Sequence, residues 1–315
     1  MAVEEQDRAP HVAGPRQLAA GEDVALGTPP HVPGVTARRR ALHLGLYVVL
    51  IGLAALYFVP FAWSVLTSFK TLPESVAGFD LWPDDPSLRA YREVVENFSF
   101  PTFFKNSLIL AGVITAFNVF LCSLGGYAFA RLRFPGREVL FLLVLATLMI
   151  PDQLRLVPVY LMLIDFPFTH WNLVGTKQGF IAIHLVMAAN LFLMRQYFLT
   201  IPRDYEEAAK LDGAGYFKTY WRVMLPLTVP ALAAVSILTF QGIWNDFFWS
   251  LIILGQQDPN QYTVQLGLAQ FQFQYGTLWP ELMAATTLAI LPVVVVYIFF
   301  QRYFVAGVTA AGVKG

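Results

Sequence analysis

Two clusters in this 315-residue chain combine residue types and spacings suited to recognition chemistry. The first is Tyr205-Glu206-Glu207-Ala208-Ala209-Lys210-Leu211-Asp212-Gly213-Ala214-Gly215, running on to Leu225-Pro226. It is a well-charged stretch between two apolar blocks, so it should lie in water beside them. Asp204 followed three residues later by Glu207 fits a capping box, with Pro202 ending the preceding element. Glu207 to Leu211 reads as one short helix, and Gly213 supplies the left-handed stop such a helix needs. Tyr216 to Met224 reads as a second short helix closed off by Pro226. Two short helices at an angle make a compact knob, a shape that fits a partner's cleft. The plainer reading leaves Glu207 to cap its own helix; one carboxylate can serve both ends.

The second cluster is Gln241, Trp244, Asn245 and Asp246, set inside an apolar run. Ionisable groups at such depth are costly and face a cavity or a partner. A polar and aromatic patch suits a polyhydroxylated solute, because hydroxyls need hydrogen-bond partners and flat apolar faces stack on rings. A hydrogen-bond cluster between helices, or a pairing across a subunit joint, explains the same residues. Gln256, Gln257, Gln261, Gln265, Gln270, Gln272 and Gln274 crowd the stretch from Gly255 to Pro280, which has no Lys or Arg. His184 and Asn190 read as hydrogen-bond formers between helices, since no second metal ligand stands four residues away. No phosphate loop G-x-x-x-x-G-K-[ST], H-E-x-x-H or catalytic triad occurs, and no cofactor is expected.

The elements that must carry these clusters are membrane spans. The chain is 57% hydrophobic and 13% charged, about half the charge of a soluble domain. Its 21 basic and 21 acidic residues cancel, which favours no nucleic-acid partner. The single cysteine, Cys122, has no intrachain disulfide partner and leaves the redox compartment open. Residues 1–40 are rich in Ala, Pro, Gly and charge and should form a disordered tail. No cleavable signal peptide is visible, because the first apolar run starts late and is too long. The fold class is all-α integral membrane, with six spans. Span one lies between Arg40 and Lys70, and span two runs from Asn106 to Ala130, with Gly125-Gly126 offering a close helix contact. Span three sits loosely at 138–163 and either continues beyond Pro151 or is kinked there; span four runs from Gly179 to Leu199, span five from Thr228 to Ile253, and span six from Leu282 to Gln301. This divides the chain into the tail (1–40), a first span with its loop (41–105), a five-helix core (106–305) and a C-terminal tail (306–315).

Basic residues set the orientation. Lys70, Arg89, Arg92, Lys105, Arg155 and Lys177 fall in alternate loops, while the other Lys and Arg fall in both tails, the 131–137 loop and the 195–222 region. The basic set should face the cytoplasm, with both termini inside a multi-pass cell-membrane protein.

The run Glu207-Ala-Ala-Lys-Leu-Asp-Gly-Ala-Gly215 with Leu225-Pro226 resembles the EAA loop of permease subunits in ATP-binding-cassette (ABC) importers. Phe134-Pro135-Gly136, Trp244-Asn245-Asp246-Phe247-Phe248-Trp249, Leu291-Pro292 and the ending Phe304 to Gly315 are similar to maltose-type carbohydrate permeases, specifically the MalG-like partner of the pair. The resemblance covers about residues 42–315. Ala311-Gly312-Val313-Lys314-Gly315 departs slightly from the family's usual ending, Gly-Ala-Val-Lys-Gly. The resemblance implies a non-catalytic permease that imports a sugar or related carbohydrate. Its implied partners are a second, MalF-like permease, two MalK-like ATPase subunits and an extracytoplasmic solute-binding protein. It also implies that Glu207, Ala208, Ala209, Asp212, Gly213, Leu225 and Pro226 belong to an ATPase-coupling loop, and that the 255–280 loop reaches toward the binding protein. Importers of amino acids, peptides, phosphonates or polyol phosphates carry EAA loops too. A six-span enzyme or channel would need a catalytic constellation or a polar stripe, and neither is visible.

Overall fold

The computed structural model describes residues 33–78, 80–167, 169–255, 258–273 and 276–312. The tail expected to be disordered lies largely outside them. Helix α1 (Pro33–Thr67) begins inside that tail, so Arg38-Arg39-Arg40 are helical. Proline is pre-set for the first position of a helix, where its missing N–H costs nothing. Successive residues Leu46 to Ile51 of α1 are all exposed, so no one face of it is buried. A helix apolar all round needs lipid or another subunit about it. One compact unit ends at Leu56; the second begins at Tyr57 and contains both clusters.

In the second unit, α2 (Leu72–Ala77) and α3 (Arg89–Glu96) precede the long α4 (Phe100–Arg131). There follow α5 (Arg137–Thr147), α6 (Asp152–Ile164), α7 (Lys177–His184), α8 (Ala188–Thr200) and α9 (Asp204–Leu211). Next come α10 (Tyr216–Thr219), a π turn (Tyr220–Met224), α11 (Leu225–Leu227), α12 (Val229–Trp244) and α13 (Phe248–Ile253). The chain ends through α14 (Val264–Leu268), the strands β1 (Gln272–Phe273) and β2 (Gly276–Thr277), and α15 (Trp279–Gly312). The two strands pair antiparallel, Gln272 opposite Thr277.

Four stretches among the described residues are long and apolar enough to cross a membrane: Arg39–Thr67, Phe100–Arg131, Lys177–Thr200 and Trp279–Phe299. Two bent pairs raise the number to six if each is one span. The first pair corrects the expected span three: α5 and α6 meet at 105°, with Pro151 between them. Proline disfavours the α conformation in the residue before it, so the helix ends there rather than bending gently. The second pair turns by 77° between Leu227 and Val229, where Pro230 follows. Span five also stops earlier than expected. Asn245 to Phe247 are not helical, so Asp246 sits in a break between α12 and α13 and not inside a helix.

Helix α4 is the central element, packed on α8 and α12, with α15 behind α12. Its glycines explain the first contact. A Cβ on Gly126 would lie 2.7 Å from Met194 Cβ and 2.9 Å from the Arg195 backbone nitrogen. The close approach expected at Gly125-Gly126 is therefore real, and it is made against α8. Polar side chains then pin the three helices together. Asn190 donates to Asn118 (2.7 Å) and to Thr239 (2.8 Å), joining α8 to α4 and α12. In the membrane such bonds are worth about 0.6 kcal/mol each on average.

The same α4 side chains settle the interruption between α7 and α8. There the His184 and Leu185 carbonyls lack helical partners, whereas Met187 O already accepts from the Leu191 N–H at 3.0 Å. Asn118 Nδ2 donates to His184 and Leu185, at 3.3 and 3.2 Å, and the Cys122 thiol points to Met187 O at 3.6 Å. Unsatisfied carbonyls in a dry interior cost free energy, so the break persists because α4 supplies donors. At the other end of α4, Asn106 donates to the Asn260 and Tyr262 carbonyls, and Ser107 accepts from the Val264 N–H. These bonds fasten the glutamine-rich stretch onto the bundle.

Candidate functional site

The 204–227 stretch forms the expected knob, with its chemistry arranged differently from expectation. The capping box does not form: Asp204 is the first helical residue, and α9 starts after Arg203 with no side-chain cap. Asp204, Glu206 and Glu207 still crowd the first turn, where carboxylates complement the helix dipole. The far end of α9 closes as foreseen. Gly213 takes φ +74°, its N–H donates to Lys210 O at 3.0 Å, and Ala214 N–H donates to Ala209 O at 2.9 Å. That bond pattern is a Schellman stop, and it requires the left-handed residue at Gly213. Asp212 is the exposed C-cap before it. The second helix is not uniform: α10 widens into the π turn, then tightens into α11, with Pro226 inside that last turn.

Ala209 is buried under the knob, whereas Glu207 and Ala208 are exposed, Leu225 is half-buried and Pro226 is exposed. Large apolar side chains point outward: Leu211 is 90% exposed, Phe217 70% and Tyr216 63%. From below, the knob stands on Arg131, the last residue of α4. Its Nη2 donates to the Phe198 and Ile201 carbonyls at the end of α8. Its Nε lies 3.7 Å from Glu206 Oε1, with both side chains nearly buried. One guanidinium thus bonds the carbonyls at the C-terminal end of α8 and anchors α9. Ser123 and Tyr220 hydroxyls meet at 2.7 Å, tying the π turn to α4.

Sequence reasoning missed Arg131 and Glu206. Arg131 reads from sequence only as one of the basic residues of the 131–137 loop, and Glu206 as one more charge in the 205–215 stretch. The available signal was spacing: Glu206 and Ala209 are three apart, on one helix face, and that face is the buried one.

The second cluster separates. Trp244 turns inward, 1% exposed, with its Nε1 donating to Ala289 O at 3.0 Å and its ring against Phe240 and Phe104. Asp246 also turns inward and finds a partner within the chain. Its Oδ2 is 3.2 Å from His184 Nε2, and its Oδ1 accepts from the Trp249 N–H at 2.9 Å. His184 Nδ1 sits 2.9 Å from Phe180 O. The carboxylate therefore joins the break after α7 to the break before α13, while capping α13. Gln241 and Asn245 face outward, four apart on one surface, and Gln265 Nε2 donates to Asn245 Oδ1 at 3.3 Å. Asn190 bonds between helices, as its sequence context suggested, whereas His184 bonds Phe180 of its own helix and Asp246 in the break before α13.

A bundle of broken and bent apolar helices, carrying a knob with exposed aromatics, fits a multi-pass membrane protein. Residues 101–310 match the family model described as binding-protein-dependent transport system inner membrane component, and the chain belongs to that family. It is 34% identical to the arabinooligosaccharides transport system permease protein AraQ of Halalkalibacterium halodurans, over 85% of this chain and 96% of that one. It is 32% identical to the trehalose/maltose transport system permease protein MalG of Thermococcus litoralis, over 84% of this chain and 94% of that one. Its fold is that of a chain in the crystal structure of a bacterial ABC transporter involved in the import of the acidic polysaccharide alginate. That likeness has a TM-score of 0.72 at 24% identity and covers 88% of this chain and all of the other. The chain is thus a permease of ABC-transporter type.

Proposed function

We propose that the chain is one permease subunit of an ATP-driven importer for a sugar or related carbohydrate, coupled to its ATPase through residues 204–227. The observation that carries this reading is the knob itself: exposed Leu211, Tyr216 and Phe217 on a support held by Arg131 and Glu206. Aromatic side chains left in water beside a buried ion pair fit a protein interface, where such residues dominate binding. Glu207 lies exposed at the edge of that surface and Gly213 sets its shape. The partners are a MalF-like permease, two MalK-like ATPases and a solute-binding protein outside. ATP hydrolysis belongs to the ATPases, and the basic face of this chain is the cytoplasmic one. The carbohydrate reading follows the names of the relatives, and the outward pair Gln241 and Asn245, with Gln265 beside it, supplies uncharged hydrogen-bonding groups on the path or at the joint with the second permease.

Two measurements test this. Uptake of a panel of radiolabelled carbohydrates, in a strain deleted for the gene and complemented with it, should show at least one sugar restored; restoration of an amino acid or peptide alone would refute the substrate class. Glu207→Ala and Gly213→Val should lower co-purification of the ATPase and uptake, with membrane levels of the permease unchanged. Gly213→Val should be the worse of the two glycine changes, ahead of Gly213→Ala, because a β-branched residue strains most at positive φ. Normal co-purification and uptake in all three would overturn the coupling assignment.

A further inference from the structure

Between the knob and the 131–137 loop lies a cleft of about 520 Å³ that shares Glu207 and Tyr216 with the docking surface. It opens where three apolar stretches leave the membrane zone: α4 ends at Arg131, α5 starts at Arg137, and α8 ends at Thr200. Its rim carries Arg131, Arg133, Arg137, Arg203 and Lys210. The carboxylates nearby are mostly engaged. Glu206 pairs with Arg131, and Glu138 pairs with Arg137 at 2.6 Å and with Arg195 at 3.4 Å. Arg137 Nη1 also donates to Leu132 O, and Lys210 sits over the Tyr216 ring. Arg133 and Arg203 have no ion pair and no side-chain hydrogen bond among the described residues, and Glu207 is the one rim carboxylate without a cation bonded to it there. The cleft thus presents unneutralised guanidinium groups, which suit the tetrahedral oxygens of a phosphate.

The adjoining surface identifies the source of that phosphate. Val139, Leu140, Leu142 and Leu143, the residues of α5 that lead away from the cleft, are 48–65% exposed. Cations at a helix end with apolar residues rising from them reproduce the order of a phospholipid, headgroup first and acyl chains beyond. A soluble phosphate would have no use for that apolar wall. We propose that this cleft, between the 131–137 loop and α9, holds the phosphate of an anionic phospholipid headgroup, with Arg133 and Arg203 as its ligands and the α5 surface along its acyl chains. The lipid then touches Arg131 and Lys210, so it sits against the support of the knob.

The test is native mass spectrometry of the purified complete transporter in detergent, titrated with phosphatidylglycerol or with phosphatidylcholine of the same chains. Wild type should retain phosphatidylglycerol in preference. Arg133→Gln/Arg203→Gln should lose that retention by about tenfold, while Arg133→Lys/Arg203→Lys keeps most of it and phosphatidylcholine is indifferent to either. Arg89→Gln/Arg92→Gln, on α3 at the opposite end of α4, should behave as wild type. Equal retention in wild type and the Gln pair would overturn the proposal. So would displacement of the lipid by inorganic phosphate at matched concentration, which would assign the cleft to a soluble anion. Loss of the ATPase subunit from the Gln pair with lipid retention intact would assign it to a protein contact instead.

Discussion

Asp246 was the residue whose role the sequence left most open, with a passing sugar and a partner subunit both available to it. The structure shows Asp246 in the plainer arrangement also read from the sequence, a hydrogen-bond cluster within the bundle: a pair with His184 and a bond to the Trp249 N–H. A carboxylate so placed is held where its charge is needed, which removes the cost of an unpaired ion at depth. Asp246→Leu should therefore destabilise the chain by about 1–2 kcal/mol through loss of the cap, before any effect on transport. Asp246→Asn keeps an oxygen for Trp249 and should cost less. His184→Leu combined with Asp246→Leu should cost less than the sum of the two single changes, because both remove the same His184–Asp246 interaction. Thermal unfolding of the purified transporter measures this; strict additivity of the two single changes would show that the pair is not energetically coupled.

Among the elements, what was legible depended on whether local sequence or a distant side chain decided the outcome. Apolar runs of sufficient length announced α1, α4 and α15, and the glycine stop of α9 was readable from one residue type. The breaks were not. Leu185 to Met187 is an apolar run that nothing local interrupts; it opens because Asn118, more than sixty residues earlier, donates to the His184 and Leu185 carbonyls. Asn245 to Phe247 likewise reads as helix until His184 is brought beside it. The knob's position was legible and its anchor was not, since Arg131 and Glu206 meet only after folding. Packing, by contrast, can be predicted from a pair of neighbours. A methyl on Gly125 meets only Leu191 Cδ1, at 2.9 Å, the end of a flexible side chain, whereas on Gly126 it meets Met194 Cβ and backbone of α8. Gly125→Ala should be tolerated, and Gly126→Ala should cost about 1–3 kcal/mol by forcing α4 and α8 apart. Folded protein recovered from membranes, compared by size-exclusion profile, checks it; equal yields would mean the helices have slack that the geometry does not show.

At the scale of the molecule, α4 sets which residues share a side of the membrane. It has 32 residues, so it spans about 48 Å at the rise of an α-helix, enough to cross a bilayer with its headgroups. Its first turns hold the 260–264 stretch and contact α3, and its last residue holds the knob. Residues before α3 and residues in the knob must then lie on opposite faces, whichever way the chain is inserted. We propose that the knob's face is the cytoplasmic one, on the excess of Lys and Arg in the 131–137 loop and the 195–222 region. Cysteine labelling can read this with little background, because the native Cys122 is buried. Asp85 and Asp212 are both exposed, Asp85 ahead of α3 and Asp212 on the knob. In intact cells an impermeant maleimide should label Asp85→Cys and spare Asp212→Cys, and permeabilisation should expose the second. Labelling of Asp212→Cys from outside with Asp85→Cys protected would reverse the orientation and remove the ATPase from reach of the knob. Labelling of both from outside would contradict α4 as a spanning helix.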